Sequence, residues 1–217
     1  MPDKIRDYFR NIGVRRFTVM VCGVAVTGLG IAFLRLALLG NDPFSGMNLA
    51  LAGLTGIYYP VVQLTVNIIL FIIQILFGRK YLGPGTFVNA VCLAYISDFF
   101  YRLIYPLTGD PGTFILKLLS LLLGLLITAL GLSMYQCSNT GVAPYDALSL
   151  ILYDRFKKIP YFAWRVSNDG TCALICFLSG GIIGLGTLVT AFGLGPCIQF
   201  FDKTITVKML GGRDDVK

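Results

Sequence analysis

The sequence predicts an all-α polytopic membrane protein built from two internal repeats, and three observations carry this prediction. Apolar residues make up 56% of the 217 residues and charged residues only 13%, against about 25% charged in soluble domains. Uncharged runs such as 17–34 and 118–135 approach the roughly twenty residues that a helix needs to cross a bilayer. Similar residues also recur at a constant spacing of 101, which indicates a duplication.

The composition excludes several classes of structure and function. The apolar runs lack the alternation of apolar and polar residues that a membrane β-barrel needs. The chain has no histidine, so imidazole metal ligands and histidine-based catalytic triads are excluded. We therefore expect no catalytic residues, no metal site and no cofactor. An intramembrane enzyme is the least favoured alternative, because no pair of nucleophile and base stands out.

The net charge of +7 does not predict a nucleic-acid partner. Most Lys and Arg residues stand at the ends of apolar runs, where they act as signals of membrane topology. The six cysteines lie within or beside apolar segments, and we interpret them as packing residues.

The first half begins with five basic residues in 1–16. This segment predicts a short amphipathic helix on the cytoplasmic membrane surface, with a frayed tail as the alternative. Repeat one follows at 17–104, and residues 105–112 form a connector rich in turn residues. The expected segments of repeat one are a span at 17–39, a short segment at 44–56, a span at 61–77, and a span that begins after Thr86 and runs to about residue 100.

The second half, repeat two, covers 113–202 in the same order. Its expected segments are a span at 113–135, a short segment at 145–152, and spans at 162–178 and 184–201. Residues 203–217 are predicted to be a polar, disordered cytoplasmic tail.

Each short segment follows a break made by Gly and Pro, at Gly40 and Pro43 in the first half and at Gly141 and Pro144 in the second. The short segments are too brief to cross a bilayer as straight helices. Proline has no backbone N–H, and a break of this kind leaves backbone groups free inside the membrane. Membrane proteins tend to bind solutes at such breaks, although a plain turn between helices is the alternative.

The evidence for the repeat comes from shared Gly, Pro, Asn and Thr residues. Matches of these types are less expected by chance in so apolar a chain than matches between leucines. At the spacing of 101 the matching pairs are Gly23 with Gly124, Thr27 with Thr128, Gly30 with Gly131, Gly40 with Gly141, Pro43 with Pro144, Asn67 with Asn168, Gly83 with Gly184, Gly85 with Gly186, and Thr86 with Thr187. We interpret the paired Gly-x-Gly-Thr segments as sites of close helix packing, since the strand that a phosphate loop requires is missing from the pattern.

The positions of the basic residues suggest that the two repeats have opposite orientations in the membrane. Arg79-Lys80 corresponds to Gly180-Gly181, and Lys157-Lys158 corresponds to Gly56-Ile57, so equivalent loops are expected on opposite sides of the membrane. Three crossings and one re-entrant half-helix per repeat give this inversion. Both termini are then cytoplasmic. The alternative is eight crossings with parallel repeats.

The candidate site consists of polar residues at the breaks and inside the spans. Asp146, whose equivalent is Ser45, could cap its helix or face a cation or a proton path. Asp169 lies within an apolar span and needs a partner. We expect Arg35 to be its counter-charge, with snorkelling to the interface as the alternative for Arg35. The predicted lining of the site is Asn41, Asp42, Ser45, Asn67, Tyr145, Asp146, Asn168 and Asp169.

Two motifs resemble those of the bacterial YitT/YczE superfamily of integral membrane proteins. They are Gly-Val-Ala-Pro-Tyr-Asp-Ala-Leu-Ser-Leu at 141–150 and Gly-Leu-Gly-Thr-Leu-Val-Thr-Ala at 184–191, and the resemblance extends over 17–202. It implies a location in the bacterial plasma membrane and names no substrate. The first copy departs from the pattern, because Ser45 stands where the motif has an acid, so a carboxylate role carries over only to Asp146.

Together these features predict a small-solute transporter or channel of the plasma membrane. Its site is expected near the midplane, where the two half-helices meet. The expected partners are a small solute or ion, the lipid bilayer and a second copy of the chain in a homo-oligomer. The alternative function is a non-transporting membrane scaffold or accessory subunit.

Overall fold

The computed structural model describes residues 13–210, and within that range every regular element is a helix. The principal helices are α1 (Val14–Ala37), α2 (Pro43–Thr55), α3 (Tyr59–Phe77), α4 (Pro84–Thr108), α5 (Phe114–Cys137), α6 (Pro144–Arg155), α7 (Tyr161–Leu178) and α8 (Leu185–Phe201). A single 3-10 turn covers Arg79–Tyr81, and Asp202–Met209 prolongs α8. Most of the predicted amphipathic segment and the end of the predicted tail lie outside the described residues.

Five of these helices are long and apolar enough to cross a membrane: α1, α3, α4, α5, and α8 with its extension. This confirms a membrane protein with several apolar helices. Helix α7 has 18 residues, but polar side chains from Arg165 to Thr171 lower its hydropathy. Helices α2 and α6 have 13 and 12 residues, so each is about 18–20 Å long and too short to span the bilayer.

Two predicted boundaries are wrong. Helix α4 continues to Thr108, so the first half of the predicted connector at 105–112 is helical. Pro106 lies in the last turn of this helix, where its missing N–H removes just one hydrogen bond. The expected disorder of the tail is also wrong up to residue 210. Thr206 is fully buried and its hydroxyl lies 2.6 Å from that of Ser133, while Leu210 is buried against α1 and α5.

Helices α1 and α5 form the central pair and run antiparallel. Gly23 lies against the backbone of Tyr135, whereas Gly124 lies against the backbone of Leu34, so residue numbers rise along one helix as they fall along the other. A Cβ atom added to Gly23 would lie 2.7 Å from the Tyr135 nitrogen. The glycines therefore allow the two backbones to approach closely, as small residues do between membrane helices.

The breaks before α2 and α6 are each held by the opposite half of the chain. The Gly186 N–H donates to the Leu39 carbonyl at 2.7 Å, and the Gly85 N–H donates to the Thr140 carbonyl at 2.9 Å. These bonds place each Gly-x-Gly-Thr segment against the break of the other half. The predicted role of the two segments in close packing is confirmed.

Gly40 and Gly141 have φ values of +99° and +115°, in the region that favours glycine. A Cβ on Gly40 would lie 2.5 Å from Thr187 Oγ1, and one on Gly141 would lie 2.7 Å from the backbone of Gly83. Both positions therefore require glycine for conformation and for space.

The helix bundle has one end rich in basic residues, which we call the basic end. There the Lys80 ammonium lies 2.6 Å from the Asp154 carboxylate, joining the turn after α3 to the end of α6. The start of α1, the end of α5 and Leu210 pack together at this end. Its basic residues are Arg15, Arg16, Arg79, Lys80, Arg155, Lys157, Lys158, Lys203 and Lys208. The opposite end carries Arg35, Arg102 and Lys117.

Candidate functional site

A cavity of about 680 Å³ lies where α2 and α6 begin. Six of the predicted lining residues border it: Asp42, Ser45, Asn67, Tyr145, Asp146 and Asp169. Asn41 and Gly40 border a second cavity of about 500 Å³, together with Arg35. We call the larger one the central cavity, and it brings most of the predicted site together.

The two half-helices meet at an aromatic stack. The rings of Phe44 and Tyr145 lie 4.5 Å apart between centroids, with 19° between their planes. Each follows a proline, Pro43 or Pro144, in the first turn of its helix, where the fixed φ of proline favours helix initiation. The Gly-x-x-Pro-aromatic sequence therefore sets two helix starts against each other at the cavity wall.

The two helix starts differ in how they use a carboxylate. The Ser45 N–H donates to Asp42 Oδ2 at 2.9 Å, so Asp42 is a conventional N-cap of α2. The N-cap of α6 is Ala143, whose methyl group cannot accept a hydrogen bond. Asp146, in the first turn of α6, directs its carboxylate to Arg165 instead. Asp146 is thus the partner of an arginine of the chain itself, and its expected role toward a cation or a proton path stays a prediction.

Arg165 lies between two carboxylates of the central cavity. Its Nη1 atom donates to Asp146 Oδ1, and its Nε atom lies 3.6 Å from Asp169 Oδ2. The Tyr145 hydroxyl donates to the other oxygen of Asp169. The Arg165 guanidinium carbon also lies 5.2 Å from the centre of the Tyr145 ring, within range of a cation–π interaction. We call these four residues the charged cluster.

The expected ion pair between Arg35 and Asp169 is wrong. Asp169 is paired with Arg165, one helical turn earlier on the same face of α7. Arg35 pairs with Asp98 on α4, where Nη1 lies 3.2 Å from Oδ1. The i, i+4 spacing of Arg165 and Asp169 could have predicted their pairing from the sequence.

A second cluster of charged residues lies at the end of the bundle opposite the basic end. Asp98, only 4% exposed, accepts hydrogen bonds from Arg35, from Arg102 at 2.6 Å and from the Tyr58 hydroxyl. The guanidinium carbon of Arg35 lies 3.9 Å from the centre of the Tyr101 ring. These contacts join α1, α3 and α4. Sequence reasoning missed Asp98 as a partner of Arg35.

Asn67 and Asn168 bridge neighbouring helices. Asn67 Nδ2 donates to the Ala90 carbonyl of α4 at 2.9 Å, and Asn168 Nδ2 donates to the Ser149 hydroxyl of α6 at 2.8 Å. Asn67 borders the central cavity, whereas Asn168 lies outside its lining. These asparagines therefore position helices around the cavity.

The central cavity extends toward the basic end. Gln136, near the end of α5, and Gln199 and Asp202, near the end of α8, belong to its lining. The positions 101 residues before the two glutamines are Arg35 and Asp98. Positions 101 residues apart thus line the central cavity near the basic end in one half and form an ion pair at the opposite end in the other.

Two polar atoms of the central cavity make no hydrogen bond to any of residues 13–210. They are Asp42 Oδ1 and Thr128 Oγ1, each of them buried. A buried polar atom without a partner is unfavourable in a protein interior. Together with the charged cluster, these atoms make the central cavity suited to a polar or charged solute.

Comparison with known proteins identifies relatives over most of the chain. The family of unknown function DUF6198 matches residues 14–203. The "Uncharacterized protein" of Haemophilus influenzae is 23% identical over 187 residues, which cover 86% of this chain and 83% of the relative.

Two relatives come from Bacillus subtilis. The "Uncharacterized membrane protein YczE" is 23% identical over 193 residues, covering 86% of this chain and 85% of the relative. The "Uncharacterized protein YyaS" is 24% identical over 186 residues, covering 82% of this chain and 88% of the relative. No solved structure matches.

Proposed function

This chain belongs to the family of unknown function DUF6198, and on that premise we propose that it carries a small solute across the bacterial plasma membrane. The match to YczE confirms the resemblance to the YitT/YczE superfamily. One observation carries the proposal: two broken helices meet at a cavity that holds a partly buried charged cluster. Ionisable residues inside membrane segments are costly, and they mark solute or ion pathways.

The transport proposal includes two repeats related by an approximate two-fold axis. This is supported by contacts that recur when both residues are replaced by the residues 101 positions away. The hydrogen bond from Gly186 to Leu39 has its counterpart in the bond from Gly85 to Thr140. Phe44 and Tyr145, equivalent in sequence, stack on each other, as residues beside a two-fold axis do.

The axis is proposed to lie in the membrane plane. Helices α1 and α5 occupy equivalent positions in the two repeats, and they run antiparallel. A two-fold axis that relates antiparallel spans is perpendicular to them, which is the arrangement of an inverted repeat. Parallel repeats with eight crossings would require α1 and α5 to be parallel. We therefore favour six crossings, α1, α3, α4, α5, α7 and α8, with α2 and α6 as half-helices.

We propose a carrier rather than an open pore. The central cavity extends toward the basic end, and the Arg35–Asp98 pair joins α1 to α4 at the opposite end, where we propose that it closes the path. In an inverted repeat the two halves can exchange conformations, and the open and closed ends then exchange as well. The basic end is assigned to the cytoplasm by the excess of Lys and Arg on that side of membrane proteins.

A flux assay in liposomes tests the proposed transport. The full chain is reconstituted and exposed to a panel of radiolabelled cations, anions and neutral metabolites. We expect uptake of at least one solute, and we expect Asp146→Asn and Asp169→Asn each to reduce it tenfold or more, because both remove a charge of the cluster. The matched control is Asp154→Asn, an acid on α6 that pairs with Lys80 outside the cavity.

Two outcomes would contradict the assignment. If uptake occurs and both cluster variants transport normally, the solute does not use this site. If no solute moves and a second membrane protein co-purifies in a fixed ratio, the chain is a scaffold or accessory subunit instead.

Labelling of single cysteines tests the proposed topology. Lys80→Cys and Ile182→Cys lie in exposed loops at the two ends of the bundle. Gly181 is unsuitable, because an added Cβ there would lie 2.6 Å from Ala50 and Cys176 side-chain atoms. With the six native cysteines replaced, an impermeant maleimide applied to intact cells should label position 182 and spare position 80, whereas eight crossings would place both positions outside. Labelling of both positions from the same side rules out six crossings.

A further inference from the structure

The central cavity fits a small organic cation, and we propose that such a cation displaces Arg165 from the charged cluster when it binds. This inference deepens the proposed transport function and rests on it for its biological meaning. The site would recognise an ammonium or similar group attached to an apolar body. Arg165 would act as an internal counter-ion that holds the carboxylates when the site is empty.

The charges of the cavity favour a cation. Four carboxylates border it, those of Asp42, Asp146, Asp169 and Asp202, and Arg165 is the one basic side chain among its described lining residues. Four negative charges against one positive charge leave three uncompensated in the ionised state. Because charges interact strongly where water is scarce, the cavity attracts a cation and repels an anion.

The position of Arg165 shows where a cation is held. Its guanidinium contacts Asp146 and Asp169, and it lies over the face of Tyr145. Two carboxylates and an aromatic ring face are the groups that bind ammonium ligands elsewhere. Asp42 Oδ1, buried and without a hydrogen bond to any of residues 13–210, adds an acceptor that the internal arginine leaves unused.

The remaining walls indicate an organic cation rather than a metal ion. Among the described residues, no group of three or more His, Cys, Asp or Glu side chains is placed to hold a metal ion. The cavity walls are instead largely aromatic and aliphatic, with Phe44, Tyr161, Phe162, Phe192, Leu93 and Leu132 among them. A volume of about 680 Å³ lies within the range of sites for small organic molecules.

Displacement explains how Asp146 and Asp169 keep a positively charged partner both in the loaded and in the empty site. Removing one partner of a buried ion pair is strongly unfavourable, because it leaves a charge without compensation. When the cation occupies the site, it replaces Arg165 beside Asp146 and Asp169. When the cation leaves, Arg165 returns, so that the empty carrier can change conformation without exposing bare carboxylates to the membrane interior.

Equilibrium binding to the purified full chain in detergent tests the inference without requiring transport. The probe is radiolabelled benzyltrimethylammonium, compared with phenylacetate as an anion and benzyl alcohol as a neutral molecule. We expect saturable binding of the cation only. Asp146→Asn and Asp169→Asn should each weaken it tenfold or more, and Asp42→Asn several-fold, whereas Asp154→Asn leaves it unchanged.

Replacing Arg165 should strengthen cation binding, whereas replacing the aspartates should weaken it. Arg165→Gln removes the internal competitor and should tighten cation binding about tenfold. If this variant fails to fold, as judged by size-exclusion chromatography, Arg165→Lys is measured instead. Lysine pairs less well with two carboxylates at once, so a smaller gain in affinity is expected.

The inference is overturned if phenylacetate binds more tightly than the cation, if no cation binds at millimolar concentration, or if the Asp146 and Asp169 variants bind normally. Its failure is distinct from failure of the transport proposal. Uptake of an anion or neutral solute into liposomes would retain transport and reject the cation. Binding of the cation without any uptake would retain the site and reject transport.

Discussion

The two ends of the bundle carry different residues at positions that lie 101 apart in the sequence. At the end opposite the basic end, Arg35 and Asp98 form an ion pair whose side chains are 13% and 4% exposed. At the basic end, the positions 101 residues later are Gln136 and Gln199, and these border the mouth of the central cavity. Similar backbones thus carry charges at one end and neutral amides at the other.

The difference in chemistry predicts a difference in how readily each end opens. Separating a buried ion pair exposes two charges that have lost their partners, whereas the two glutamines are already exposed and water satisfies their amides easily. The charged end should therefore be the harder one to open. For the carrier that we propose, we therefore expect the conformation that opens toward the basic end to be the resting state.

Removing the ion pair should have the largest effect on stability. Asp98→Gln leaves Arg35 buried without its carboxylate, and we expect a loss of about 3–5 kcal/mol in the free energy of unfolding. The double variant Arg35→Gln with Asp98→Gln copies the chemistry of the basic end and should recover at least half of that loss. Thermal unfolding in detergent measures both.

The control for the ion pair is Arg102→Gln, because the Arg102 side chain is 66% exposed and should matter little. If the double variant is no more stable than Asp98→Gln alone, the uncompensated charge of Arg35 is not the cause of the loss.

Replacing the break glycines tests whether the two ends share one backbone design. Gly40→Ala and Gly141→Ala each place a methyl group at a positive φ and against the Gly-x-Gly-Thr segment of the other half. We expect each to destabilise the protein by about 1–3 kcal/mol. Gly53→Ala on α2 is the control, since its Cβ would meet no atom within 4 Å. A large effect at just one break would argue against equivalent halves.

Tyr145→Phe should have a smaller effect. It retains the stack on Phe44 but removes the hydroxyl that donates to Asp169. Hydrogen bonds to charged groups contribute about 1.5–3 kcal/mol, and the Arg165–Asp169 contact limits the loss to the lower part of that range. Phe44→Tyr, the reverse exchange in the other half, is the matched comparison in thermal unfolding. An unchanged melting temperature for Tyr145→Phe would show that the hydroxyl does not stabilise Asp169.

The smallest effect is expected at the surface of the basic end. The hydrogen bond from Lys80 to Asp154 raises the pKa of the Lys80 ammonium, yet both side chains are well exposed, and water and salt screen such pairs. Lys80→Gln should leave the melting temperature unchanged within error at physiological salt. A clear loss would mean that this exposed pair stabilises the basic end as the Arg35–Asp98 pair stabilises the opposite end.

The sequence was sufficient to predict the helices and the breaks, because hydropathy, glycine and proline act locally. The site was predictable in part, since six of its lining residues are polar groups inside apolar runs. The partners of those residues were harder to predict. Arg35 and Asp98 are 63 residues apart in sequence, and only the packing of α1 on α4 brings them together.

The helical continuation of the tail was missed for a similar reason. The composition of 202–209 is polar, but Thr206 and the following Leu210 are buried against α1 and α5. Tertiary packing decides the structure of a short segment of this kind.

Each break is packed against a segment from the other half of the chain, and this has a consequence for biosynthesis. The Leu39 carbonyl and Gly40 leave the ribosome long before their partners, Gly186 and Thr187, which belong to the start of α8. The first break must therefore remain incompletely packed until α8 has been made. A nascent chain stopped after α7 should remain sensitive to protease near residue 40, and synthesis of α8 should remove that sensitivity.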